Sequence, residues 1–90
     1  MGDQIKLIRG YQWIVYHPDL LGGQPTVKGT RISVSQVLEC LSVGMTPADI
    51  AEDYEGFPIE AISEVFKFAA HVTHKPFSDD LSNLFIEGPK

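Results

Sequence analysis

The densest set of chemically able groups lies in Leu20–Val34, LLGGQPTVKGTRISV, where three glycines, a proline and two cations crowd together. Arg31 can grip a phosphate or carboxylate with its two-pronged guanidinium, and Lys28 adds a compact positive charge. Gly22, Gly23 and Gly29 permit positive φ or the close approach of another chain, and with Pro25 they read as a shaped structural loop. The phosphate-cradling patterns GxxxxGK[ST] and GxGxxG are both absent. On residue types alone, a fold-closing role and a binding role for this segment stand level.

The remaining candidates for chemistry each have a plainer reading. His17 and Asp19 are two apart with no nucleophile or third partner close in sequence. A histidine before Pro18, at the end of a strand, reads as a structural or surface group. His71 and His74 are three apart and could share a helix face, but a metal needs further ligands and the helix is ending there. Cys40 is the lone cysteine, so it forms no internal disulfide and no zinc framework, and its place beside an apolar helix face reads as core packing. Asp49, Glu52, Asp53 and Glu55 could work as an acid–base pair or hold a cation, but a solvated helix face accounts for them more simply. No catalytic residue, metal or cofactor is therefore expected, and the chain reads as a non-enzyme.

The elements that must position Lys28 and Arg31 follow from hydrophobic period. Ile5, Leu7 and Ile8, then Trp13 to Tyr16, are short β-prone pieces with a turn at Arg9-Gly10. Pro18 ends that region, and Pro25 to Ile32 reads as one more short strand interrupted at Gly29. From Ser33 the period changes. Val34, Val37, Leu38 and Leu41 make one face of a first helix, with Ser33 and Gln36 as a capping box and Gly44 beyond its end. Thr46 caps a second, short helix with Pro47 in its first position, and Gly56 ends it. Pro58 and Glu60 open a third, whose apolar face is Ile62, Val65, Phe66 and Ala69 and which closes at His74-Lys75-Pro76. The fold class is mainly α: a three-helix, helix-turn-helix-like core with short N-terminal β-strands or a hairpin. The polar positions of the third helix, Glu60, Ser63, Glu64, Lys67 and His71, hold two acids for one lysine and make it a poor reader of DNA.

Size and charge narrow the function classes. Ninety residues form one domain, taken as residues 1–74 with a C-terminal tail at 75–90. At 43% hydrophobic and 21% charged the composition is that of a folded globular protein. No apolar run is long enough to span a membrane and no signal segment opens the chain, so a cytoplasmic location is expected. The net charge is −5, unevenly spread. Residues 1–31 carry Lys6, Arg9, Lys28 and Arg31 against Asp3 and Asp19, net +2. The rest carries three lysines against ten acids, net −7. Any phosphate contact must come from the first third.

The blocks His17-Pro18, Gly22-Gly23-Gln24-Pro25, Lys28-Gly29-Thr30-Arg31-Ile32 and Val34 at this spacing resemble the domain of unknown function 433 family of small prokaryotic proteins. Gly44-Met45-Thr46-Pro47-Ala48-Asp49-Ile50, Asp53-Tyr54 and Ala69-Ala70 extend the resemblance from Tyr11 to His71. Pro58 departs from the Thr- or Ser-like cap usual before the third helix, and the tail after His71 matches nothing familiar. The resemblance implies a helix-turn-helix-like homodimer acting as an antitoxin, which binds and neutralises a small PIN-like nuclease toxin and also binds its own operator DNA. A DNA-binding regulator without a toxin partner is the alternative. Lys28, Thr30 and Arg31 are then the nucleic-acid contacts. Phe77, Leu81, Leu84 and Phe85 of the acidic, amphipathic tail are the partner contacts.

Overall fold

The computed structural model describes residues 5–74. Three short strands come first: β1 (Lys6–Leu7), β2 (Ile14–Tyr16) and β3 (Thr26–Val27). They form one antiparallel sheet in the order β1-β2-β3, with Leu7 opposite Val15 and Ile14 opposite Val27. Three helices follow: α1 (Val34–Ser42), α2 (Pro47–Asp53) and α3 (Ile62–Thr73). The mainly α, three-helix architecture with an N-terminal β element is therefore as expected.

Caps set both ends of α1 and the start of α2. Ser33 Oγ accepts the Gln36 N–H at 3.0 Å and starts α1. The expected reciprocal bond is not made, because the Gln36 amide donates to the Tyr54 hydroxyl at 3.3 Å instead and ties α1 to the end of α2. α1 closes in a Schellman motif, with Gly44 N–H on Leu41 O and Met45 N–H on Cys40 O. Thr46 and Asp49 form a complete capping box at the start of α2.

Two local corrections follow from the structure. The strand expected over Pro25 to Ile32 is only Thr26–Val27, which turns at residues 28–31 and returns through Ile32 and Ser33. Between α2 and α3 the connection runs over residues 54–61, past the opening expected at Pro58 and Glu60. Pro58, with no side-chain oxygen to cap a helix, leads into a 3-10 turn at Ile59–Ala61 before α3 starts. The expected apolar face of α3 holds in part, since Ile62 packs on the core as well as Val65. Ala61, Val65 and Phe68 point inward, whereas Phe66 is 52% exposed.

The core lies between the inner sheet face and the helices. Ile14, Val27, Ile32, Val34, Val37, Ile50, Ala61 and Val65 are buried there, and Phe57 plugs the α2–α3 connection. One helix face holds the sheet in place. Glu64, Lys67 and Phe68 sit at i, i+3 and i+4 on α3. The Glu64 carboxylate accepts the N–H of Gln12 at 2.8 Å and of Trp13 at 2.6 Å. Lys67 Nζ donates to Gly10 O at 3.1 Å and lies 4.8 Å from the centre of the Tyr11 ring. Phe68 meets the same Tyr11 ring edge-on, centroids 5.5 Å apart.

Glu64→Ala removes the acceptor of two backbone N–H groups and is expected to cost about 1–3 kcal/mol. Glu64→Gln keeps one acceptor and is expected to lose less. Urea denaturation followed by Trp13 fluorescence measures both; a Glu64→Ala midpoint equal to the parent's would show that the clamp carries no stability.

Candidate functional site

Residues 28–31 are the tip of a small hairpin. Val27 N–H bonds Ile32 O at 3.0 Å, Thr30 N–H bonds Val27 O at 3.1 Å, and Lys28 N–H bonds Trp13 O at 2.8 Å. Gly29 sits at φ 81, a conformation that a side chain resists, and open space surrounds it. The Thr30 hydroxyl donates to Val27 O at 2.8 Å and accepts from Ile32 N–H at 3.1 Å. It thus closes the tip and keeps no proton for a phosphate. Lys28 and Arg31 are exposed on the two sides of Gly29 and Thr30.

The loop leading into the hairpin has its own conformational demand. Leu21, Gly22 and Gly23 are all left-handed, at φ 51, 67 and 86. The two glycines take this at little cost, while Leu21 is a strained exception. Pro25 follows, and its carbonyl accepts the Val34 N–H at 2.9 Å, joining the base of the hairpin to the start of α1.

Beside the tip lies an open groove of about 700 Å³. Its floor is the outer face of the sheet, with Leu7 and its cross-strand neighbour Val15, flanked by Ile5 and Leu20. Its rim is Lys28, Gly29, Thr30 and Arg31. Ile5 is 56% and Leu7 51% exposed, so the floor offers apolar surface to a ligand. An apolar floor with a cationic rim suits a ligand that is apolar on one side and anionic on the other. Residue types pick out Lys28 and Arg31 but not the floor. The one signal for the floor is the alternation of Ile5 and Leu7, which puts both on one side of an edge strand.

The other candidates settle into structural roles. His17 Nδ1 accepts the Asp19 N–H at 2.9 Å within a tight turn. His74 Nδ1 lies 2.6 Å from His71 O, and the two rings are 5.7 Å apart and tilted. Among the described residues no group of three or more His, Cys, Asp or Glu is placed to hold a metal. Cys40 is half-buried against the core. Asp49 belongs to the α2 capping box, while Glu52, Asp53 and Glu55 are exposed. Glu64 and Lys67, which sequence places among the outward polar positions of the third helix, are turned onto residues 10–13. Phe77, Leu81, Leu84 and Phe85 lie outside the described residues. No helix among the described residues is long and apolar enough to cross a membrane.

A family model described as "Protein of unknown function (DUF433)" matches residues 14–69. The matched span runs from β2 through the hairpin and α1 and α2 into α3, and so contains the whole cationic tip. The searches of curated proteins and of solved structures return no match.

Thr30→Ala is expected to destabilise by about 1 kcal/mol, with Thr30→Ser close to the parent. Gly29→Ala is expected to cost about 1–2 kcal/mol through its left-handed backbone. Equilibrium unfolding tests both. Equal stability of the alanine and serine variants at position 30 would mean that the hydroxyl does not close the tip.

Proposed function

The chain belongs to the DUF433 family, and from that premise we propose that it is a non-catalytic antitoxin, binding and neutralising a small PIN-like nuclease toxin, with its own operator DNA as a second ligand. The observation that carries the protein-binding reading is the joining of exposed apolar groups, Ile5 and Leu7, to the Lys28 and Arg31 rim. A phosphate backbone would satisfy the two cations and leave the floor wet. A protein segment of mixed acidic and apolar character satisfies both. Charge adds a second attraction, since residues 32–90 carry net −7 and draw a basic partner. The tail contributes the apolar groups Phe77, Leu81, Leu84 and Phe85.

The DNA reading, with or without a toxin, rests on the same tip. Gly29 carries no side chain between the two cations, so the loop backbone can approach a phosphate closely. A homodimer presents Lys28 and Arg31 twice, and these supply most of the attraction to phosphate. α3 contributes little to such a contact, because Glu64 and Lys67 are held by residues 10–13.

Gentle affinity capture of the tagged 90-residue chain from its own host is expected to bring down a small nuclease-like protein in near-equal amount, read by mass spectrometry. Elution alone, or with DNA only, overturns the antitoxin reading. For DNA, Arg31→Ala is expected to lower affinity and to flatten the log–log salt dependence by about 0.9 for each phosphate that Arg31 neutralises. An unmoved slope removes the hairpin from DNA binding.

A further inference from the structure

A second groove lies at the opposite end of the hairpin from its tip, where the last turns of α3 face the first turn of α1. It encloses about 190 Å³ and is lined almost wholly by carbon, chiefly from Pro25, Val34, Leu38, Phe68, Ala69 and Val72. Its walls follow from helix spacing. Phe68, Ala69 and Val72 lie at i, i+1 and i+4 on α3, and Val34 and Leu38 at i and i+4 on α1. Val72 at its lip is 51% exposed, so this apolar wall has no cover among the described residues. About 150 Å³ of apolar cavity accepts a benzene ring, so the groove takes one aromatic side chain.

The continuation of the chain leaves from this groove. Val72 and Thr73, the final residues of α3, are themselves part of the lining, and residues 75–90 follow directly. Pro76 cannot extend the helix and biases Lys75 toward extended backbone. Phe77 is the first apolar residue after it, four positions beyond Thr73, and an extended segment of that length reaches about 13–14 Å. The next apolar residue, Leu81, comes only after Ser78-Asp79-Asp80, a polar stretch suited to leave the groove for water.

We propose that Phe77 of the same chain docks in the groove between α1 and α3 and anchors the start of the C-terminal tail on the domain. The anchor takes Phe77 out of the set facing a partner and leaves Leu81, Leu84 and Phe85 to that role. It needs no partner to form, so its test on the isolated protein is independent of the antitoxin reading.

The test is a cross-link in the full chain. Ser35 lines the groove and Ser78 adjoins Phe77, so Ser35→Cys and Ser78→Cys are combined with Cys40→Ser and the protein is oxidised mildly. An intramolecular disulfide at monomer mass is expected, forming about tenfold more slowly when Phe77→Ser is added, the population shift that burying one phenyl ring supplies. A disulfide found only in dimers places a second copy's tail in the groove and overturns the proposal. So does no disulfide, or one whose rate ignores Phe77→Ser. As a check free of engineered cysteines, Phe77→Ser in the natural chain is expected to shift the backbone amide resonances of Val34, Leu38 and Val72. Unmoved resonances overturn the proposal equally.

Discussion

The turn that carries the sheet is fixed on α3 by one carboxylate meeting two backbone N–H groups. Strands of two and three residues do not stand alone in water; they need a surface to pack on. α3 supplies it through Glu64, which receives Gln12 and Trp13 from more than fifty residues away. The charged acceptor makes these bonds stronger than neutral ones, and it satisfies donors at the end of the β1–β2 turn that the short ladder leaves free. Lys67 and Phe68 extend the grip to Gly10 and Tyr11, so one face of α3 holds the whole turn. Trp13 then passes the constraint on, because its carbonyl receives the Lys28 N–H at the hairpin tip.

This chain of contacts changes how the helices read. A second helix, a turn and a third helix have the outline of a DNA-reading motif, and a reading helix must present donors outward. Here Glu64 and Lys67 of the third helix are engaged by residues 10–13. The exposed face of α3 carries Phe66, and Ile59 of the preceding 3-10 turn is also exposed, which is poor equipment for base edges. The helices hold the turn, and the exposed cations Lys28 and Arg31 stand on the hairpin instead.

Much of this is legible in the sequence because it is written in local chemistry. Ser33, Gly44, Thr46 and Pro47 are caps and breakers that act within a few residues, and α1 and the start of α2 lie where those residues require. The β-prone pieces and the turn at Arg9-Gly10 are local in the same way. What stays hidden depends on contacts distant in sequence. Gln36 fits a capping box, but Tyr54 competes for its side chain. Phe66 fits the apolar face by spacing alone, but Phe68 takes the inward place against Tyr11. Glu64 and Lys67 look like solvated charges unless their partners, 51 to 57 residues away, are known. At the candidate site, Lys28, Arg31 and Gly29 can be picked out by residue type. The structural duty of Thr30 and the Leu7–Val15 floor require the fold of the turn and the strand register.

The edge strand β1 carries a further consequence. Leu7 within it and Ile5 just before it are exposed, and a longer strand with that composition would invite copy after copy to add on. β1 is only two residues long, and one of them is Lys6. Brevity limits the ladder that a second strand could form, and a lysine on each copy sets like charges against each other at the seam. A two-residue edge that bears a lysine is a poor template for further strands, even beside the exposed Ile5 and Leu7.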